Sequence, residues 1–415
     1  MTDSTDAADI ARLAEEARES VVRLCSQLVA APSVNPPGDT RRVAGVVLDF
    51  LRAHGIAGEE QALLPEMPSV VAVLDSGRPG RHLVLNVHLD TMPPGDEAAW
   101  THPVWELTRS GGRLQGLGMG NMKGAVAAML HAVALLDRRR DAWSGRITFT
   151  AVSDEVVFGD HGAAHLLATR PDLAADGLLC GEGPGFRRLA VGEKGVLWLA
   201  LEAVGDPGHS SSVRRGRSAT ARIAAAVTAV DALTGTRGRF DGELAGLVVA
   251  DEDTALTLTA NVGTLTGGSF VGQVATSARA EVDLRLPPGI SADAAQALVE
   301  GAVARAVPDG GVTVTRMKGW DPNVTLPDSP IAESWSAAWS ALEPSPLELA
   351  VRLPASDASR WRRLGTPSLC YGPQPTYSAG IDDYAEEDEV VRCIALYALT
   401  ALRFLGDRQD GGSTR

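Results

Sequence analysis

Cysteine is scarce in this chain of 415 residues: there are four, they lie far apart, and none form a CxxC pair. This spacing argues against zinc ribbons and redox motifs, and it is typical of reduced thiols in the cytoplasm. Aromatic residues make up only 5% of the chain. No uninterrupted apolar run reaches the roughly 18 residues of a membrane span, and no secretion signal is visible. We therefore expect a cytoplasmic protein with no membrane partner.

The chain also lacks an excess of positive charge. Its formal net charge is −14, which argues against a nucleic-acid partner and favours a small-molecule substrate. Apolar residues account for 45% of the sequence, a normal value for a globular protein. Because 415 residues exceed what one hydrophobic core usually supports, two domains are expected.

The apolar periodicity predicts two kinds of layer. An N-terminal helix at 10–30 precedes buried strands at 70–74, 83–87 and 147–152, with a buried helix at 125–136. This alternation predicts an α/β layer with a largely parallel sheet. The following segments predict a compact α+β insertion, with strands at 196–204, 255–265, 278–286 and 312–317 and helices at 219–233 and 292–307. The first layer then resumes at 331–342, 357–364, 367–371 and 386–405.

Five short motifs occur in order along the chain. They are Leu83–Asp90 (LVLNVHLD), Gly116–Gly124 (GLGMGNMKG), Asp154-Glu155, Gly181-Glu182-Gly183 and Tyr371-Gly372-Pro373. Together they resemble the superfamily that contains aminoacylases, carboxypeptidase G and succinyl-diaminopimelate desuccinylase, whose members are usually two-zinc amide hydrolases. The resemblance covers roughly residues 10 to 405.

The resemblance implies a specific domain organisation. We expect a zinc-peptidase-like catalytic domain at 1–194 and 316–415, with a mostly parallel central sheet. A ferredoxin-like lid at 195–315 is inserted into it, and in such proteins this lid commonly forms a homodimer interface. A homodimer through the lid is therefore expected.

The resemblance also assigns roles around the first metal. His88 matches a zinc ligand, and Asp90 matches the aspartate that orients that histidine. Glu182 matches a glutamate that binds the same zinc. Clustering of polar residues after the carboxyl end of a strand independently favours a ligand site here.

Three other metal-binding positions hold residues unsuited to the task. Asn121 stands where the family has an aspartate that bridges both metals, and Val156 and Ala379 stand where it has a glutamate and a histidine ligand. The chain has no histidine beyond His209. Two zinc ions would bury too much uncompensated charge. We expect a site without a metal cofactor, with one zinc ion at His88 and Glu182 as the alternative.

Glu155 matches the family's general base, and several alternatives stay open around it. A one-residue shift would make Glu155 a ligand and Asp154 the base. His161 is interpreted as a packing residue rather than a replacement ligand. Asp382 and Asp383 are alternative ligands from the C-terminal loop.

The remaining candidates face the substrate. His209 matches a lid histidine that stabilises the oxyanion across a dimer, so it joins Glu155 and Asp90 as a catalytic candidate. Candidate substrate-binding residues are Arg285, Lys194, Asn121 and Ser356. An exposed ion pair is an equally open role for Arg285, and Ser356 also suits a helix N-cap.

These assignments favour an enzyme that acts on a small amino-acid-like or N-acyl amino acid substrate without metal. Glu155 would serve as general acid and base for cyclisation, isomerisation, elimination or acyl transfer, as in specialised biosynthesis. The alternatives are a one-metal N-acyl amino acid amidohydrolase or peptidase, and a non-catalytic binding protein.

Overall fold

The computed structural model describes residues 2–238, 249, 252–375 and 380–406. The chain divides into two compact units. The first comprises 1–191, 325–350 and 356–415, and the second comprises 192–324 and 351–355. The lid predicted at 195–315 falls inside the second unit.

The described residues form sixteen strands and eleven helices. The strands are β1 (Gly58–Gln61), β2 (Ser69–Asp75), β3 (His82–His88), β4 (Thr108–Ser110), β5 (Arg113–Gln115), β6 (Arg146–Val152), β7 (Gly177–Cys180), β8 (Arg188–Glu193), β9 (Gly195–Val204), β10 (Thr259–Gly267), β11 (Ser277–Leu286), β12 (Val312–Trp320), β13 (Asn323–Val324), β14 (Glu348–Arg352), β15 (Ser368–Cys370) and β16 (Tyr384–Glu386). The helices are α1 (Thr2–Glu16), α2 (Arg18–Val29), α3 (Arg41–Ala53), α4 (Gly124–Arg138), α5 (Ala163–Thr169), α6 (Ala219–Asp231), α7 (Glu252–Ala255), α8 (Ala292–Ala306), α9 (Pro330–Leu342), α10 (Ala358–Arg362) and α11 (Glu387–Leu405).

The central sheet of the first unit has the order β1-β2-β6-β3-β7-β15-β8. Its middle is parallel, because β3 pairs with β6 and β7, and β7 pairs with β15, all in the parallel sense. The flanking pairs β1/β2, β2/β6 and β15/β8 are antiparallel. A strand buried on both faces suits this centre, and six of the seven residues of β3 are buried. The mixed α/β fold with a mostly parallel central sheet is therefore confirmed.

Helix α4 is the central helix of this unit, buried from Gly124 to Leu136 and packed against α11. Within the described part of the chain, Met119–Arg138 is the one segment long and apolar enough to cross a membrane, although the sequence showed no uninterrupted apolar run of that length. Its apolar window is 94% buried inside the protein. Burial explains its composition: a helix that is apolar all round packs inside a large core.

The predicted N-terminal helix at 10–30 is two helices, α1 and α2, which meet at Ala17. The apolar positions keep helical spacing across the break, so periodicity alone does not reveal it.

The second unit has the element order β9-α6-β10-β11-α8-β12, with the short α7 before β10. Its four strands form an antiparallel sheet in the order β10-β11-β9-β12, the arrangement of a ferredoxin-like domain. Leu197, Leu199 and Leu284 lie on the sheet face that packs in one apolar cluster with Ile223 of α6 and Val299 of α8.

The chain enters and leaves the second unit along paired strands. Gly192 and Glu193 of β8 pair with Val324 and Asn323 of β13 in antiparallel register. A Cβ added at Gly195 would lie 2.6 Å from backbone atoms of Trp320 and Pro322. Only glycine fits where the two chain segments pass this closely.

His131 provides a test of how burial in α4 affects stability. Its Nδ1 lies 2.8 Å from Ala127 O and its Nε2 lies 3.1 Å from Ser20 Oγ. Burial lowers the pKa of His131 to about 4. Between about pH 6.5 and about pH 4, His131 is protonated in the unfolded state but neutral in the folded state. The free energy of unfolding therefore decreases as the pH falls from about 6.5 to about 4.

We expect His131→Gln to flatten the pH dependence of the free energy of unfolding below pH 6.5 by up to about 1.4 kcal/mol per pH unit. Urea denaturation between pH 7 and pH 4.5 measures this slope. Ser340→Ala, at an exposed position on α9, changes no titrating group; it is the control and should keep the wild-type slope. Equal slopes for His131→Gln and wild type would contradict the prediction.

Candidate active site

The polar residues of the sequence motifs gather at one edge of the central sheet. His88 ends β3, Glu155 follows β6, Glu182 follows β7 and Gln374 follows β15. Because β6, β3, β7 and β15 are adjacent and parallel, their carboxyl ends meet at the same edge. This is where open parallel sheets bind their ligands.

Three oxygens that could bind a metal lie around His88 Nε2 at this edge. His88 Nε2 lies 3.1 Å from Asn121 Oδ1 and 3.3 Å from Glu182 Oε1. Glu155 Oε2 lies 3.8 Å from the same nitrogen. His88, Glu155 and Glu182 are all buried, and their ligand atoms lie within 4.8 Å of one another. Glu155 thus belongs to the central group, whereas Val156 offers it no ligand atom.

Asp90 contacts both His88 and the loop that carries Glu155. His88 Nδ1 lies 2.9 Å from the Asp90 carbonyl oxygen and 3.5 Å from its carboxylate. The Asp90 carboxylate also accepts hydrogen bonds from the backbone N–H groups of Glu155, at 3.2 Å, and Val156, at 3.0 Å. Asp90 therefore orients the histidine and holds the loop that carries Glu155.

Asn35 links two buried carboxylates beneath the site. Its Nδ2 donates to Asp90 Oδ2 at 2.8 Å and to Asp154 Oδ1 at 3.2 Å. Asp154 also accepts from His161, through the backbone N–H at 3.1 Å and from Nδ1 at 2.7 Å. Asp154 is therefore engaged with Asn35 and His161, and the His161 ring is hydrogen-bonded to Asp154.

Gln374 connects the side chains of Asn121 and Glu182. Its Nε2 donates to Asn121 Oδ1 at 2.9 Å and to Glu182 Oε2 at 3.1 Å. Its Oε1 accepts from the backbone N–H of Gly183 at 2.7 Å. The side chain is buried, and all three of these contacts lie inside the site.

The site carries more negative than positive charge. Burial raises the pKa of Glu155 well above its usual range, and the nearby carboxylates of Glu182 and Asp357 add to this effect. Burial also raises the pKa of Asp357 to about 7. Burial alone would lower the pKa of His88, but the hydrogen bond with Asp90 and the charges of Glu155 and Glu182 outweigh it and raise that pKa. Such a cluster would be stabilised by a bound cation.

A two-metal centre does not fit these residues. The bridging position holds the neutral amide of Asn121, which has one carbonyl oxygen already accepting from Gln374. Val156 supplies no ligand atom for a second ion. Ala379, which stands where the family has a histidine ligand, lies outside the described residues.

A single divalent cation does fit. At bond lengths of about 2.1 Å, the ligand atoms of a tetrahedral site lie about 3.4 Å apart. The separations from His88 Nε2 to Asn121 Oδ1 and Glu182 Oε1, 3.1 and 3.3 Å, are close to this value. One nitrogen and two oxygens also match the three protein ligands that a catalytic ion usually has.

The two aspartates proposed as replacement ligands are directed elsewhere. Asp382 accepts from the backbone N–H of Thr101 at 2.8 Å and from its hydroxyl at 2.9 Å. Asp383 accepts from the backbone N–H groups of Gly118 and Gly120, at 2.8 and 3.1 Å. Asp383 thereby shapes the loop that carries Asn121.

Three predicted site residues lie in the second unit. His209 is exposed, and its Nδ1 lies 2.8 Å from Ser211 Oγ. Arg285 pairs with Asp283 on the same strand, at 2.9 Å. Lys194 donates from Nζ to Thr257 O at 2.6 Å, and burial lowers its pKa to about 8. Their catalytic and substrate-binding roles stay predictions.

Ser356 and Asp357 precede α10 in the first unit. Ser356 Oγ accepts from the Ala358 N–H at 3.2 Å, so this hydroxyl makes the contact of an N-cap. Asp357 Oδ2 is buried without a hydrogen-bond partner among the described residues. Ser356, which was predicted to bind the substrate, is thus engaged with the backbone. Asp357 adds a buried carboxyl group near Glu155.

Sequence reasoning missed Asn35 and Gln374 and did not count Asp357 among the site residues. Gln374 directly follows the Tyr371-Gly372-Pro373 motif, so a polar residue next to a site motif was a usable signal. Asn35 lies 53 positions before His88, with nothing in its neighbourhood to mark it.

The chain is similar in sequence to known peptidases and amide hydrolases. The model of peptidase family M20/M25/M40 matches residues 84–403. The chain is 35% identical over 204 residues to a succinyl-diaminopimelate desuccinylase from Methylobacterium radiotolerans, covering 46% of this chain and 51% of that protein. It is 28% identical over 313 residues to the enzyme of the same name from Afipia carboxidovorans, covering 72% and 76%. The chain thus spans about half the length of the first of these relatives and about three quarters of the second.

The fold is also similar to that of solved structures. Human carnosine dipeptidase 1 superposes with a TM-score of 0.74 at 14% sequence identity, covering 96% of this chain and 98% of that one. At this identity the likeness concerns the fold.

Proposed function

Since this chain belongs to peptidase family M20/M25/M40, we propose that it hydrolyses an amide bond in a small N-acylated amino acid or peptide. In this proposal His88, Asn121 and Glu182 hold one divalent cation, and Glu155 acts as general base. The observation that carries it is the arrangement of His88 Nε2, Asn121 Oδ1 and Glu182 Oε1 at 3.1 and 3.3 Å, with Glu155 beside them.

Each residue of the group has a separate task. When bound, the cation would polarise the scissile carbonyl. Glu155 takes the proton of the attacking water and returns it to the leaving amine, so that the amide bond is replaced by a carboxylate and a free amine. The raised pKa of Glu155 suits both transfers near neutral pH. Asp90 keeps His88 Nε2 directed at the site.

The substrate class rests on the relatives. Their names describe removal of a succinyl group from a diamino acid, and acetylornithine deacetylase from Proteus mirabilis, 28% identical over 281 residues, removes an acetyl group by its name. We infer an N-acyl amino acid of this size. The sequence-based expectations of a homodimer through the lid and a cytoplasmic location stay predictions, and a monomeric mass in solution would exclude the former.

A second candidate keeps the metal-free chemistry expected from the sequence. Both ring nitrogens of His88 face acceptors, the Asp90 carbonyl and Asn121 Oδ1, so a doubly protonated His88 would satisfy these contacts without a cation. Glu155 and His88 would then form an acid–base pair for cyclisation, isomerisation, elimination or acyl transfer.

Metal content separates the two candidates. We expect protein purified without chelator and then supplied with zinc to hold one ion per chain by elemental mass spectrometry. Chelation should abolish amine release from a panel of N-acetyl and N-succinyl amino acids, and added zinc should restore it. Zinc occupancy near zero, or hydrolysis that survives chelation, would overturn the one-cation proposal.

A further inference from the structure

The Gln374 side chain has only one orientation that satisfies its neighbours. The backbone N–H of Gly183 can only donate, so the amide atom 2.7 Å from it must be the acceptor Oε1. The amino group of Gln374 then points at Asn121 and Glu182, at 2.9 and 3.1 Å. Its two N–H bonds serve two acceptors. The orientation therefore follows from a backbone group and not from an arbitrary amide assignment.

This orientation decides which atom Asn121 presents to the site. A side-chain amide has an oxygen on one side and an amino group on the other, and only the oxygen can bind a cation. The Gln374 amino group requires an acceptor, so Asn121 must turn Oδ1 toward it. The same Oδ1 lies 3.1 Å from His88 Nε2. His88 Nε2 can also donate to Oδ1, but a nitrogen bound to a cation carries no proton, so in the loaded site Gln374 is the side chain that requires an acceptor from Asn121.

Glu182 is held in a related way. Gln374 takes Oε2 of Glu182, which leaves Oε1 facing His88 Nε2 at 3.3 Å. One side chain thus contacts two of the three candidate ligands, but because the oxygens of a carboxylate are equivalent, it decides the donor atom of Asn121 alone.

We propose that Gln374 is the positioning residue of this site, which holds the Asn121 oxygen toward a divalent cation. The need for it arises from the amide at position 121. A carboxylate offers equivalent oxygens on both sides and needs no such partner, whereas an asparagine does. This inference rests on the single-cation site proposed above.

The test is a double-mutant cycle on zinc affinity, measured by isothermal titration calorimetry with the full chain. Gln374→Met removes the amide and keeps the length of the side chain. We expect it to weaken zinc binding by about tenfold to a hundredfold, the range seen when partners of metal ligands are lost. In an Asn121→Asp background the same substitution should weaken binding by less than about threefold, because the aspartate needs no orienting partner.

The control is Gln61→Met. Gln61 also donates to a glutamate, Glu59, at 2.9 Å, but at the surface, so its replacement should leave zinc affinity unchanged. Thermal unfolding monitored by circular dichroism checks that each variant folds, and Gln374→Ala replaces Gln374→Met in the cycle if the latter does not fold.

The outcomes separate this inference from the proposed function. An equal loss of affinity in both backgrounds, or no loss in either, would overturn the positioning role while wild-type zinc binding still supports the one-cation site. Wild-type protein that takes up no zinc would overturn both.

Discussion

Replacing Glu155 with glutamine is expected to lower kcat by about 10²-fold to 10⁴-fold, the usual contribution of a positioned general base. Glutamine keeps the size of the side chain but accepts no proton at neutral pH. The fold should remain intact or become slightly more stable, because the substitution removes a buried charge that lies close to Glu182 and Asp357. Amine release from N-acyl amino acids and thermal unfolding measure the two effects.

Glu60→Gln is the matched control, since Glu60 is exposed on β1. It should leave kcat and thermal stability at wild-type values. Glu155→Gln protein with undiminished turnover would rule out the base role. If the wild-type protein binds a member of the substrate panel but converts none of them, the hypothesis of a non-catalytic binding protein is favoured.

The second large effect concerns stability. Asn35→Asp is expected to lower the free energy of unfolding at pH 7.5 by about 3 kcal/mol or more, because it places a third buried carboxylate against Asp90 and Asp154. Two hydrogen bonds are also lost, since a carboxylate donates none. Asn35→Ala removes the bonds without adding charge and should cost about 1 to 3 kcal/mol.

The pH dependence identifies the cause. The new carboxyl group would have a raised pKa in the folded state, so the defect should shrink as the pH falls and the group becomes a donor again. Urea denaturation at pH 7.5 and pH 5.5 tests this. Asn261→Asp is the control for burial: it also places a carboxylate opposite another, Asp283, but Asn261 is exposed on the edge strand β10, so the cost should stay below about 1 kcal/mol. A defect of the same size at both pH values would argue against charge repulsion.

The strands that build the site could be predicted from the sequence. Unbroken apolar runs such as 83–87 and 147–152 correspond to β3 and β6, because strands buried on both faces leave a continuous signal. Polar residues at the ends of such runs, such as His88 and Glu182, were accordingly found at one sheet edge. Local pattern and position were enough here.

The contacts that orient these residues could not be predicted. Asn35 and Gln374 act through partners far away in the sequence, Asp90 and Glu182, and although Gln374 adjoins a motif, no local pattern shows which side chains it contacts. For Arg285 the sequence left a substrate carboxylate and an ion pair equally open, because the alternation of β11 places it on one face with Asp283 without showing that they bond. Whether Glu155 or Val156 joins the central group also depended on the turn after β6, which an ungapped match does not describe.

The antiparallel pairing of Gly192 and Glu193 with Val324 and Asn323 has a consequence for the history and engineering of the chain. The long inserted segment begins and ends on this antiparallel pair, so its two ends lie side by side whatever sequence lies between them. The chain between these two strands can be lengthened, exchanged or removed without moving the strands that carry His88, Glu155, Glu182 and Gln374. Recombination at these paired strands would therefore exchange the inserted segment without changing the strands that carry the site residues.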